Sequence, residues 1–225
     1  MKLRMKQSKR THVLLALAAT TAAAGAATLS TPAQAAVWKT QNQWSPEWER
    51  KYREWVKQEW DEKYFTRKDT PFEGLKLDCA DTVYSMRIIY SYWNKLPFAM
   101  VDPTGGKKLI TNEMSRFDTI EDEGRRARAF LSYIYGVAST QSLPADTYPA
   151  AINLDSVNSG SLLLTDHASH HSWTIKQLLP TGVPHLIYSS RPAKNVLLVR
   201  IDQPSMEFTF KVGSILYFLA PFSYS

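Results

Sequence analysis

The sequence predicts an α+β domain in which helices come first and an antiparallel β-meander follows. Two observations carry this prediction. Before Pro149, apolar residues recur at intervals of three and four, the period of a helix that packs one face on a core. After Pro149, short apolar or alternating runs are separated by turn residues, which is typical of strands joined by hairpins. Helices are therefore expected to pack on one sheet.

Residues 1–35 are expected to be a cleaved Sec-type signal peptide. Five basic residues open the segment, an apolar zone covers Val13–Ala19, and Ala33-Gln34-Ala35 has the small-x-small pattern of a cleavage site. The apolar zone is shorter than the roughly 20 residues that a spanning helix needs, so no stable membrane insertion is expected. The sequence thus predicts an exported protein, periplasmic or extracellular and associated with the cell envelope.

The basic character of the chain belongs mostly to this segment. It holds five of the 27 Lys and Arg residues and no acidic residue, so its removal lowers the formal net charge from +6 by five, to +1. No aromatic-rich nucleic-acid motif accompanies the small remaining charge, and no nucleic-acid partner is expected. The roughly 190 residues that remain are enough for a domain with its own core.

The Trp-rich segment 36–73 is predicted to form a helix and a loop that pack on the core. Ser45 is the candidate N-cap, and Pro46 suits the first helical turn. An aromatic stripe along such a helix can grip a ligand such as a glycan, but an amphipathic helix docked on the core is the favoured interpretation. The stripe consists of Trp48, Tyr52, Trp55, Glu59 and Tyr64.

Two further helices are predicted. Apolar and aromatic residues recur at helical spacing from Cys79 to Trp93, and Asp78 is placed to cap that helix. The last helix is expected over residues 120–135, with a cap at 118 or 119 and Gly136 as its stop.

Four strands are predicted in the second half, and a tight connection at Thr181-Gly182-Val183-Pro184 joins the middle two. A buried last strand is expected within the apolar stretch Ile215–Phe222, which is too short for a membrane anchor. The four strands are expected over Ser161–Thr165, Ser172–Leu178, Leu186–Ser190 and Val196–Ile201.

Cys79 is the only cysteine of the chain. In an oxidising compartment a lone cysteine has no intramolecular partner, and burial as a small hydrophobe is the alternative to a chemical role. A place in the first turn of a helix favours the thiolate, because free amide N–H groups and the helix dipole stabilise the anion. Cys79 is therefore the candidate nucleophile.

All the histidines that follow the expected signal peptide lie between His167 and His185. His171 begins a predicted strand and is the favoured base; His170 is the alternative, since adjacent strand residues face opposite ways. His185 begins the next strand and is the candidate for the group that orients the imidazole, with Asp166 as its main competitor. Solvated hairpin histidines without a catalytic role are the structural alternative.

This arrangement resembles the papain-like cysteine peptidase superfamily, most of all the NlpC-type cell-wall endopeptidases. The resemblance rests on Leu77-Asp78-Cys79-Ala80-Asp81 opening a helix, on a strand from Gly160, and on His171 and His185 leading the next two strands. It implies a papain-like catalytic domain over residues 74–225. It also implies cleavage of amide bonds in peptidoglycan stem peptides without a cofactor, by Cys79 as nucleophile, His171 as base and His185 as orienting residue.

The chain departs from that group in one place that bears on the chemistry. Asp-Cys-Ser-Gly is usual around the cysteine of the group, whereas Ala80 and Asp81 follow Cys79 here. A carboxylate at this position would oppose thiolate formation unless it points away or is paired. Transglutaminase-like proteins are the second resemblance, on Leu96-Pro97 and His171-Ser172-Trp173, and imply acyl transfer.

Two hypotheses about function compete with that of a cysteine hydrolase. A zinc-dependent amidase could take imidazole and carboxylate ligands from the histidine-rich segment. No His-Glu-x-x-His helix supports it, so no metal is predicted. The candidate zinc ligands are Asp166, His167, His170, His171 and His185. The other competing hypothesis is a catalytically inactive module that binds the wall or a partner.

Overall fold

The structure is a computed structural model of the chain. It describes residues 36–151, 153, 155–164, 171–180, 182–190, 192–193, 197–200 and 215–219. All of them belong to one compact unit, Gln34–Ser225. The expected signal peptide, residues 1–35, lies outside the described residues.

Three α-helices precede most of the strands, and the mixed helix and sheet content confirms the α+β prediction. Within the described ranges, no helix is long and apolar enough to cross a membrane. The helices are α1 (Pro46–Glu59), α2 (Cys79–Trp93) and α3 (Glu123–Val137). The strands are β1 (Ala99–Met100), β2 (Ile110–Thr111), β3 (Thr147–Pro149), β4 (Ser161–Leu164), β5 (Ser172–Leu178), β6 (Pro184–Tyr188), β7 (Leu197–Arg200) and β8 (Ile215–Leu219).

The first two helices begin where the sequence predicts. The Ser45 hydroxyl accepts the N–H of Trp48 at 3.3 Å, and Pro46 is the first residue of α1. Asp78 caps α2. Such side-chain acceptors satisfy amide groups that have no partner within the helix.

The third helix differs from its prediction at both ends. A 3-10 turn, Ser115–Phe117, precedes it, and α3 starts only at Glu123. The Asp122 carboxylate caps it by accepting the N–H of Arg125 at 2.7 Å. Gly136 lies inside the last turn and does not end the helix, because Ala138 is the C-cap and its N–H still bonds back into the helix.

Six antiparallel strands form the main sheet in the order β3-β8-β4-β5-β6-β7. Strands β4 to β7 are consecutive neighbours, which confirms the predicted meander. The predicted last strand also forms, and it lies inside the sheet between β3 and β4. β5 and β6 pair with Thr174 opposite Ile187, and an irregularity further along brings Gln177 opposite His185.

The aromatic stripe of α1 packs on the core, as the favoured interpretation predicts. Tyr90 of α2 receives the rings of Tyr52 and Trp55, with ring centroids 5.2 and 5.4 Å away. Trp44 stacks on the same tyrosine. Helix α2 is the centre of this core, since 14 of its 15 residues are buried.

Two glycines of the sheet region adopt positive φ angles in contrasting surroundings. Gly160, at φ +88°, precedes β4, and a Cβ there would lie 3.1 Å from a ring carbon of Tyr52. Gly182, at φ +81°, lies in the turn between β5 and β6, where a Cβ would meet open space. The two positions share the backbone conformation and differ in packing.

We expect Gly182→Ala to lower the free energy of unfolding by about 1–2 kcal/mol, the strain of an L-residue in the left-handed region. Gly160→Ala should cost a further ~1 kcal/mol, because Tyr52 must shift to admit the methyl group. Urea denaturation of both variants measures the difference. Equal losses would show that Tyr52 does not restrict Gly160.

Candidate functional site

Cys79 is the first residue of α2, and a reciprocal capping box surrounds it. The Asp78 carboxylate accepts the N–H groups of Ala80 and Asp81 at 3.0 and 3.1 Å. The Asp81 carboxylate accepts the N–H of Asp78 at 2.8 Å. The position of Asp81, which the sequence left open, is therefore fixed: its carboxylate points back to the helix start and is paired with a backbone donor.

Two serines of the sheet join the start of α2 to β5 and β6. The Ser172 hydroxyl donates to the carbonyl oxygen of Cys79 at 3.0 Å, and the Ser189 hydroxyl donates to the carbonyl oxygen of Leu77 at 2.5 Å. Both serines are buried. The register of β5 with β6, continued by two residues, places the serines opposite each other. Their side chains therefore share the sheet face that α2 covers.

The Cys79 side chain is buried, with 9% of the residue exposed. Burial raises the pKa of the thiol, and the negative charge of Asp78 raises the same pKa further. Hydrogen bonding to the backbone of Ala80 and of Ser172 acts in the opposite direction, but the net pKa stays above its ordinary value. The resting side chain is thus a protonated thiol at neutral pH, and a nearby base must take the proton if the sulfur is to attack.

His171 lies directly before Ser172, so its backbone is next to the start of α2. Its ring packs edge-on against Trp173 and Tyr188, with centroids 4.3 and 5.6 Å away. Those two residues alternate with Ser172 and Ser189, so they face away from α2. The structure therefore brings the His171 backbone to Cys79 and holds its ring with the aromatic pair. A hydrogen bond from Cys79 to His171 stays a prediction.

His185 lies at the far end of β5 from His171. It is opposite Gln177, whose Nε2 is 3.1 Å from His185 Nδ1. Six residues of strand separate Gln177 from His171, about 20 Å at the usual rise. The expectation that His185 orients the His171 ring is therefore wrong, because strands joined by a tight antiparallel turn begin at opposite ends of the pair.

The same separation prevents His171 and His185 from sharing one metal ion. Within the part of the chain that the structure describes, no group of three or more His, Cys, Asp or Glu side chains could hold one. The other candidates, Asp166, His167 and His170, lie outside the described residues. His170 and Asp166 are also the predicted alternatives for the catalytic group, so these alternatives likewise lie outside the described residues.

Ser172 and Ser189 were not among the predicted site residues. Nothing local marks a serine as the partner of a carbonyl about a hundred positions away in the chain. The capping box does leave a signal, since Asp78 and Asp81 are three apart before an apolar run, which is the spacing of this motif.

Comparison with known proteins gives no match to a family model, to a curated protein or to a solved structure.

Asp78→Asn should make Cys79 more reactive. Asparagine keeps an acceptor at the cap but removes the charge that raises the pKa of the thiol, so the pKa falls and more thiolate exists at a given pH. We expect the pH midpoint for alkylation by iodoacetamide to move to lower pH, as followed by mass spectrometry.

Asp122→Asn is the control, because the Asp122 carboxylate also caps a helix by accepting a backbone N–H. It should leave the alkylation midpoint of Cys79 unchanged. Equal midpoints for Asp78→Asn and the parent would mean that the Asp78 charge does not act on the thiol.

Proposed function

We propose that this chain is an exported cysteine hydrolase with a papain-like arrangement that cleaves amide bonds in peptidoglycan stem peptides. One observation carries the proposal: Cys79 opens a capped, buried helix and is hydrogen-bonded to the strand that His171 leads. Thiol acyl chemistry requires a base within hydrogen-bond reach of the sulfur, and the strand next to the helix start begins with a candidate for that base.

The pairing of β4 with β5 supports a base from the histidine-rich segment. Leu164 pairs with Ser172, so the connection between them starts and ends beside the start of α2. That connection holds His167, His170 and His171 in sequence, and Asp166 as well. The topology thus tethers the ends of this segment next to Cys79.

In the proposed reaction, the base takes the thiol proton as the sulfur attacks the amide carbonyl, since burial keeps the thiol protonated at rest. The Cys79 N–H is the candidate donor to the developing oxyanion. The base, now charged, returns the proton to the leaving amine, and water then releases the acyl group from sulfur. His171 is the proposed base, and His170 the alternative.

The test is digestion of purified peptidoglycan by the mature chain, with mass spectrometry of the released peptides. We expect Cys79→Ser to lower the rate at least about a thousandfold, as loss of a nucleophile does elsewhere. His171→Ala should have a comparable effect if it is the base, whereas His185→Ala should retain activity. A parent that releases no peptide, or a Cys79→Ser variant as active as the parent, would refute the proposal.

A catalytically inactive wall-binding module is the second candidate. The raised pKa of the Cys79 thiol and the packing of the His171 ring against Trp173 and Tyr188 favour it. Sedimentation of the chain with insoluble peptidoglycan separates the two functions. Binding that persists in Cys79→Ser, together with a parent that never hydrolyses the wall, would establish the binding module.

A further inference from the structure

The carbonyl groups that receive the two serine hydroxyls lie on either side of the helix cap. The first helical acceptor of α2 is the Asp78 carbonyl, which takes the N–H of Thr82 at 3.1 Å. Leu77 precedes that residue, so its carbonyl lies outside the helical ladder, and Ser189 supplies a donor to it. Ser172 supplies a donor to the Cys79 carbonyl two residues on.

Serine is a short side chain, so both bonds require the backbone of residues 77–79 to lie close against β5 and β6. The close approach also brings the Cys79 sulfur to the backbone of Ser172, which interacts with it. One hydroxyl from β5 and one from the residue directly after β6 thus hold one short backbone segment at two points. Such a two-point attachment restricts both the height and the tilt of the helix start above the sheet.

We propose that Ser172 and Ser189 act as a pair of positioning residues for Cys79, fixing its Sγ against the start of β5. This inference rests on the proposed function, which gives the Cys79 thiol its catalytic role. The placement of the sulfur is a separate statement that can be measured without a substrate. The carboxylates of Asp78 and Asp81 accept backbone N–H groups at the helix start, and the hydroxyls of Ser172 and Ser189 join this segment to the sheet.

The experiment is alkylation of the full mature chain by iodoacetamide across a pH series. Because Cys79 is the only cysteine, the mass increase reports that sulfur alone. We expect Ser172→Ala and Ser189→Ala each to raise the alkylation rate at pH 8 about threefold to tenfold, because losing one hydrogen bond of ordinary strength makes it easier to expose the buried sulfur. The midpoint should move to lower pH, because burial is the largest cause of the raised pKa of the Cys79 thiol and a loosened helix start is less buried.

Ser161→Ala is the matched control. Ser161 is a buried serine of the same sheet whose hydroxyl accepts the N–H of Asn158 at 2.9 Å, away from Cys79. It should reduce thermal stability and leave the alkylation profile unchanged. Ser172→Thr, which keeps a hydroxyl, should restore the parent profile and serves if an alanine variant does not fold.

Alkylation profiles of both alanine variants that coincide with those of the parent and Ser161→Ala would overturn the inference. So would a Ser172→Thr profile that departs from the parent as far as Ser172→Ala does. A parent that alkylates at Cys79 but does not hydrolyse peptidoglycan would refute the proposed function and leave the serine comparison intact.

Discussion

The buried start of helix α2 is the constraint on which the rest of the structure depends. A helix N-terminus carries amide groups without helical partners, and burial removes the water that would otherwise satisfy them. Here 14 of the 15 residues of α2 are buried. The capping box formed by Asp78 and Asp81 satisfies three of the amides, and the hydroxyls of Ser172 and Ser189 engage two carbonyls beside them. These bonds allow the start of the central helix to lie buried against the sheet.

The same solution sets the chemical state of Cys79. A carboxylate is a good cap because its charge suits the positive end of the helix dipole, yet the charge of Asp78 raises the pKa of the neighbouring thiol. Burial acts in the same direction. The helix start is stabilised at the expense of the thiolate, so any reaction at this sulfur depends on a base that removes the proton during attack.

The elements that depend on neighbours in sequence could be predicted from the sequence. Ser45 and Asp78 cap their helices as expected, and β5 spans Ser172–Leu178 as predicted, because capping and strand alternation are local. The start of α3 was placed too early, since Asp122 caps the helix instead of residue 118 or 119. The serine attachments could not be predicted, because they depend on the packing of residues distant in the chain.

The error at His185 has a general physical cause. Two strands joined by a tight turn run in opposite directions, so the residue that begins one lies beside the end of the other. The residues of β6 near Cys79 are therefore those at its carboxyl end, around Tyr188 and Ser189. The strand β6 therefore offers its carboxyl end, and not His185 at its start, to a base at the start of β5. This geometry removes His185 from the proposed site, whereas Asp166 lies outside the described residues and its role stays a prediction.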